Sequence, residues 1–107
     1  MSSPLAIDAR QAAIVRETLL KHLPVDTTVY VYGSRAKGQA RRMSDLDLAL
    51  CAQDPIPSAI MADLAEAFDE SDLPWKVDLI DWTTTSDRFR AIIAPDLQVL
   101  LPGRLTA

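Results

Sequence analysis

Cysteine and histidine are almost absent from this chain, which limits the kinds of site that it can build. Cys51 is the only cysteine and His22 the only histidine among 107 residues. A lone cysteine excludes an intrachain disulfide and a cysteine-based zinc cluster. We interpret Cys51 as a buried structural thiol and His22 as a charge near the C-terminal end of a helix, and neither as a catalytic group.

Positive charge and long apolar runs are also scarce. Eleven Lys and Arg residues against fifteen Asp and Glu residues give a net charge of −4, whereas a large nucleic-acid footprint needs basic stripes. No apolar stretch approaches the length of a membrane span, and residues 1–6 lack the apolar core of a signal peptide. We therefore expect no direct nucleic-acid partner, no membrane association and a cytoplasmic location.

Repeats and low-complexity tracts are missing as well, and predicted helices and strands follow one another regularly. A length of 107 residues suits one hydrophobic core, so we expect residues 1–107 to form a single domain. Apolar periodicity predicts helices over residues 8–23, 58–68 and 88–94, and strands over residues 27–32, 45–51 and 76–81. Residues 97–101 form either a last strand or a helical turn. The apolar stripe expected in the core near the end of the chain consists of Ile92, Leu97, Val99 and Leu100. The fold class that follows is α/β, with a small mixed β-sheet covered by helices.

The segment from Gly33 to Asp47 is the most informative part of the sequence. Gly33 and Ser34 follow an apolar alternating run, and ten residues separate Ser34 from the pair Asp45 and Asp47. A glycine turn can hold phosphate through its backbone N–H groups, and paired carboxylates can hold a divalent metal ion. An aspartate pair alone is also typical of a solvated strand edge or a loop cap. The combination predicts a site for a metal–nucleotide complex.

Strand alternation separates the carboxylates from the core. Successive side chains in a strand point to opposite faces, so the leucines at positions 46, 48 and 50 face the core and Asp45 and Asp47 face away from it. Mg²⁺ prefers carboxylate oxygens together with substrate phosphates. Two such ions about 3.5–4 Å apart suit displacement at phosphorus, because they activate the attacking oxygen and neutralise the leaving one.

A third carboxylate is expected from the short strand at residues 76–81, in one of two registers. If Val77 and Leu79 face the core, Asp78 projects from the opposite face, where a neighbouring strand could place it beside Asp45 and Asp47. Asp81 then shares the core face and is expected to end the strand or begin the next turn. We favour Asp78, because a carboxylate in mid-strand between apolar residues is costly without a partner.

The basic residues between the phosphate turn and the aspartates have two interpretations. Arg35 and Lys37 either neutralise the triphosphate or belong to a solvated loop, while Arg41 and Arg42 are expected at the surface. The spacing Gly33-x4-Gly38 superficially begins a P-loop. Residues 39 and 40 are Gln and Ala, however, where that motif requires Lys and Ser or Thr, so the P-loop interpretation fails.

The Gly-Ser pair, the ten-residue gap and the Asp-Leu-Asp sequence resemble the signature of the DNA polymerase β-type nucleotidyltransferase superfamily. The short length and the sequences GSRAKG and SDLDL resemble its minimal nucleotidyltransferase branch, the MntA-type antitoxins. The resemblance implies a polymerase β-like fold in which the Gly-Ser turn opens a short helix that holds the triphosphate. It implies catalytic and metal-binding roles, with two Mg²⁺ ions, for Asp45, Asp47 and Asp78. It implies nucleotide binding by Gly33 and Ser34, and to these we add Arg35 and Lys37.

The function implied by the resemblance is that of an enzyme, a protein adenylyltransferase. Such an enzyme transfers AMP from ATP to a tyrosine hydroxyl of a cognate HEPN-family RNase toxin and so neutralises it. Two alternatives stay open. One is a non-catalytic antitoxin that binds and occludes its partner, and the other is a small-molecule nucleotidyltransferase, for which the chain lacks a substrate-binding domain.

Overall fold

The computed structural model describes residues 7–103, and residues 1–6, on which the signal-peptide expectation rests, lie outside that range. The elements are α1 (Ala9–His22), β1 (Thr28–Tyr32), β2 (Leu46–Cys51), α2 (Ser58–Asp69), β3 (Val77–Asp81), α3 (Asp87–Ile93) and β4 (Gln98–Leu101). The three helices and three strands predicted from apolar periodicity are therefore confirmed, and the last element is a strand. No helix between residues 7 and 103 has the length and apolar character needed to cross a membrane.

The four strands form one mixed sheet in the order β3-β2-β1-β4. The central strand β1 is antiparallel to both of its neighbours, β2 and β4. Strands β2 and β3 are parallel, which requires a crossover connection, and α2 supplies it. The mixed sheet that the sequence predicts is therefore present, with its only parallel pair at the strands that carry the aspartates.

One face of the sheet carries the main hydrophobic core. Residues 46, 48 and 50 of β2 are fully buried leucines, as the alternation predicts. Helices α1 and α2 supply the opposing side chains of this core, which are Val15, Leu19, Leu64 and Phe68. Helix α1 begins with a capping box in which the Asp8 carboxylate accepts the Gln11 N–H at 2.7 Å. The packing of α1 and α2 on this face therefore holds β2 in place.

The other face of the sheet is covered thinly, and here one expectation is wrong. Helix α3 has only seven residues and buries Ile93 against Tyr32 and Ala49. Ile92 is 61% exposed and Val99 is 55% exposed, although both were expected in the core. Ile92 faces away from the sheet on the short helix α3, and Val99 lies on the edge strand β4, on the face opposite the buried Leu100.

The other residues whose burial or position was predicted agree with the structure in most cases. Leu100 is buried in the main core and Leu97 packs beside α3, as expected. Cys51 is half-buried rather than fully buried, and it is the last residue of β2. His22 lies in the last turn of α1, where its position is favourable for a positive charge.

Candidate active site

Strands β2 and β3 place two aspartates side by side on the thinly covered face. In the parallel register, Asp47 is the partner of Asp78. Val77 and Leu79 pack against the main core, so the favoured register is the one present and Asp78 points to the opposite face. The two carboxyl groups are close enough to form a hydrogen bond with each other.

Burial and the neighbouring carboxyl groups raise the pKa of Asp47. Burial raises the pKa of Asp47 from 3.8 to about 6, and the negative charge of Asp78, then that of Asp45, adds to the effect, as does a hydrogen bond to Asp78. Like charges at one site disfavour simultaneous ionisation, so a proton stabilises the pair. A divalent cation can take the place of that proton, since it neutralises both carboxylates at once.

Asp45 lies just before β2 and is exposed. Within residues 7–103, no group of three or more His, Cys, Asp or Glu side chains is arranged to hold a metal ion. The structure thus assembles two members of the predicted trio and leaves Asp45 at the margin of the pair. The donors are all carboxylate oxygens, which suits a hard cation such as Mg²⁺. The metal-binding role of the three residues stays a prediction.

The glycine turn lies directly against the carboxylate pair. Gly33 has φ of +75°, and a Cβ built on it would overlap the Asp47 Oδ2 atom and lie 3.4 Å from Asp47 Cγ. Only glycine satisfies both the positive φ and this close approach. The main chain at Gly33 therefore approaches Asp47 closely, which brings the predicted phosphate turn and the predicted metal ligands into one site.

The segment after Gly33 is a series of turns, so the expected short helix is not formed. The Lys37 N–H donates to the Gly33 carbonyl at 3.2 Å, and the Gln39 N–H donates to the Ser34 carbonyl at 2.9 Å. The turns do not continue into a helix, because Gly38 adopts φ of +70°. Ser34 is half-buried at the start of this segment.

Arg35 and Lys37, the two predicted phosphate partners, have different environments. Arg35 is only 4% exposed, and its guanidinium donates to the carbonyl of Ser44. Lys37 is exposed and its Nζ lies 3.3 Å from a carboxylate oxygen of Asp96. Arg41 and Arg42 are exposed, in the surface position expected of them. Phosphate binding by Arg35 and Lys37 stays a prediction, and the structure gives Arg35 additional contacts within the protein.

Tyr32 is a site residue that the sequence argument missed. It is the register partner of Asp47 across β1 and β2, and its ring makes an edge contact with Phe89 of α3. Burial raises the pKa of Tyr32 to about 12, and the charges of Asp47 and Asp78 add to the effect. The alternation in β1 contained the signal, because residues 29 and 31 face the core and Tyr32 must then face the aspartates.

Asp81 has a structural role at the end of β3. It is buried, its Oδ2 accepts the Ile56 N–H at 2.8 Å, and its Oδ1 accepts the Thr83 N–H at 3.0 Å and the Thr83 hydroxyl at 2.7 Å. This carboxylate caps the 3₁₀ turn Trp82–Thr84. The expectation that Asp81 ends the strand is confirmed.

The glycine turn, the paired carboxylates and the mixed sheet agree with the comparison to known families. Residues 15–101 match the family described as polymerase beta nucleotidyltransferase, and the chain belongs to this family of nucleotidyltransferases. A Haemophilus influenzae protein described as a probable protein adenylyltransferase MntA is 52% identical over 89 residues, which are 83% of this chain and 77% of that protein. The resemblance inferred from the sequence motifs is confirmed.

Solved structures show the same fold. A chain in the crystal structure of a toxin–antitoxin with AMP-PNP matches with a TM-score of 0.72 and 25% identity, over 85% of this chain and 73% of that one. A chain in the structure of a tri-AMPylated Shewanella oneidensis HEPN toxin in complex with MNT antitoxin matches with a TM-score of 0.67. Its identity is 20%, over 87% of this chain and 71% of that one, so this second likeness carries the fold alone.

Proposed function

We propose that this protein is an Mg²⁺-dependent adenylyltransferase that acts as an antitoxin. It transfers AMP from ATP to a tyrosine hydroxyl of a cognate HEPN-family toxin and so neutralises the toxin. The observation that carries the proposal is the close approach of Gly33 to the Asp47 carboxylate, which is paired with Asp78 across β2 and β3, within a family of nucleotidyltransferases. The similarity to the probable adenylyltransferase MntA supports the choice of AMP and of a protein acceptor.

The proposed reaction forms one bond at phosphorus and breaks another. The acceptor hydroxyl oxygen attacks the α-phosphorus of ATP, the bond from that phosphorus to the bridging oxygen breaks, and pyrophosphate leaves. The hydroxyl proton passes to solvent. Backbone N–H groups of the turn at Gly33 and Ser34 orient the phosphates, and the partly buried site at Asp47 limits the access of water.

Asp45, Asp47 and Asp78 would hold the metal. When bound, Mg²⁺ supplies positive charge that neutralises the phosphate oxygens and favours ionisation of the acceptor hydroxyl. Asp47 and Asp78 contribute the repulsion that makes a cation favourable at this point of the sheet. Tyr32 is protonated at neutral pH even at its ordinary pKa of 10.0, and burial, together with the charges of Asp47 and Asp78, raises that pKa to about 12. We also propose that the site binds two Mg²⁺ ions, that residues 1–107 form a single domain and that the protein is cytoplasmic.

Co-expression with a candidate cognate HEPN-family toxin tests the function. Intact-mass measurement of the toxin is expected to show the addition of one or more AMP groups. Asp45→Asn with Asp47→Asn should abolish the addition, and Asp63→Asn with Asp69→Asn is the matched control, because these aspartates are exposed on α2. An unmodified toxin that wild type nevertheless silences would contradict catalysis and support inhibition by occlusion.

A further inference from the structure

The side chain of Arg35 connects two loops of the site. Its main chain belongs to the turn that begins at Gly33, while its guanidinium reaches the loop that precedes Asp45. Nε donates to the Ser44 carbonyl at 3.1 Å, and Nη2 donates to the same carbonyl at 2.7 Å and to the Arg42 carbonyl at 3.3 Å. One side chain therefore links the phosphate turn to the residue immediately before the first aspartate.

The same guanidinium also contacts the segment that leads into β3. Its central carbon lies 4.4 Å from the centre of a ring of Trp75, a cation–π contact with a side chain that is itself buried in the main core. Lys76, the next residue, accepts the Leu46 N–H through its carbonyl at 2.8 Å, which starts the pairing of β2 with β3. Trp75 thus places Arg35 against the beginning of the pair that carries Asp47 and Asp78.

The loop over residues 41–45 needs these donors, because it has little hydrogen bonding of its own. The Ser44 N–H donates to the Arg41 carbonyl at 3.0 Å, and the Arg41 N–H donates to the Ser44 hydroxyl at 2.9 Å. The Ser44 carbonyl is partly buried and lies outside any strand ladder, and a carbonyl withdrawn from water without a donor is costly. A planar guanidinium can bond two carbonyls and stack on an indole at once, whereas an ammonium cannot.

We propose that Arg35 is a positioning residue, which fixes the phosphate turn, the Asp45 loop and the start of β3 relative to one another. Its donors bind backbone carbonyls and its surface is almost entirely buried, so this role differs from that of a phosphate ligand. Burial lowers the Arg35 pKa, and the negative charge of Asp45 partly offsets this effect. The kinetic consequence of this role rests on the proposed function.

Arg35→Lys is the discriminating variant, because it keeps the positive charge and loses the planar fork. We expect kcat for AMP transfer to fall roughly a hundredfold, the scale of a small misplacement of reacting groups, while KM for ATP stays within about threefold. Hydrogen–deuterium exchange should become about tenfold faster at residues 41–46 and stay unchanged in β4. Arg41→Lys is the matched control, since it lies in the same loop and is exposed, and it should change neither measurement.

The possible outcomes separate the alternatives. A tenfold rise in KM for ATP with unchanged exchange at residues 41–46 would make Arg35 a phosphate ligand and overturn the proposal, as would no change in either quantity. If Arg35→Lys raises exchange throughout the protein, Trp75→Phe decides, because it weakens the stacking and leaves the charge in place. Faster loop exchange in Trp75→Phe supports positioning, and unchanged exchange overturns it. If wild type transfers no AMP, the proposed function fails, while the exchange measurements still test the position of Arg35.

Discussion

The two faces of the sheet differ in how they are covered, although the same strands build both. One face carries Leu46, Leu48 and Leu50 beneath two helices of twelve or more residues. The other carries Asp47 and Asp78 beside a helix of seven residues. Because side chains alternate along a strand, each core leucine is next to a residue of the site. The core therefore sets the spacing of the carboxylates, and the thin cover leaves Asp78 exposed and Asp47 half-buried.

Two partly buried aspartates show the same contrast at the level of single groups. Asp81 accepts hydrogen bonds from Ile56 and Thr83 and so is satisfied within the protein. Asp47 instead faces another carboxyl group, and its pKa is raised to about 6. A buried polar group that is satisfied supports the fold, whereas one that faces a like charge indicates a site for a ligand.

The largest expected effect is a difference between Asp78 and Asp81. Asp78→Ala should lower kcat for AMP transfer by roughly a hundred- to a thousandfold, because it removes a main electrostatic group of the site, while ATP still binds. Asp81→Asn should leave kcat within about threefold and destabilise the fold by about 1–3 kcal/mol, because an amide cannot accept all of the bonds that a carboxylate accepts. Mass spectrometry of the toxin and thermal unfolding measure the two effects. Full modification of the toxin by Asp78→Ala would show that the third ligand lies elsewhere.

The next effect concerns the two faces of β2. Leu48→Ala should destabilise the protein by about 2–5 kcal/mol, because the leucine is fully buried and a cavity remains. Asp47→Asn, one residue earlier, should stabilise the metal-free protein at neutral pH, because it removes a repulsive charge. Urea unfolding in the presence of EDTA compares the two variants. A loss of stability in Asp47→Asn would mean that this carboxylate supports the fold.

The phosphate turn provides a smaller contrast. Gly33→Val should weaken the binding of ATP with Mg²⁺ more than Ser34→Ala does, because a β-branched side chain at φ of +75° meets Asp47 and the backbone supplies the N–H donors. Isothermal titration of both variants gives the order. Thermal unfolding is the control for Gly33→Val, since the overlap also strains the turn. A larger loss of affinity for Ser34→Ala would make the hydroxyl the main contact.

The sequence predicts what depends on local alternation and misses what depends on distant contacts. The strands, the core leucines and the facing of Asp78 follow from residues two positions apart, and each is present. The exposure of Ile92 and Val99 could not be predicted, because it depends on how the short helix α3 and the edge strand β4 pack against the rest of the fold. The contact of Arg35 with Trp75 spans forty residues and has no local pattern.

The site itself was predictable to a similar degree. The spacing of Gly33 and Asp47 indicated a shared site, and the structure brings them into contact. The prediction of a short helix after Gly33 was wrong. It came from the resemblance to the family, and in this protein the positive φ of Gly38 ends the turn. Tyr32 was visible in the alternation of β1, although the sequence argument considered only charged and phosphate-binding residues.

The smallest expected effect is the pH dependence that Asp47 gives to the metal-free protein. The folded-state pKa of Asp47 is raised from 3.8 to about 6, so between these values the folded protein binds more protons than the unfolded chain. Stability should therefore fall as pH rises from about 4 to 6 and then level off, by about 1 kcal/mol after screening by solvent. The difference in unfolding free energy between wild type and Asp47→Asn isolates this contribution from that of other acids. Saturating Mg²⁺ should reverse the sign of this difference above pH 6, because only the ionised carboxylates bind the cation. A difference in unfolding free energy that does not change from pH 4 to 7 would show that Asp47 and Asp78 do not repel each other in the folded protein.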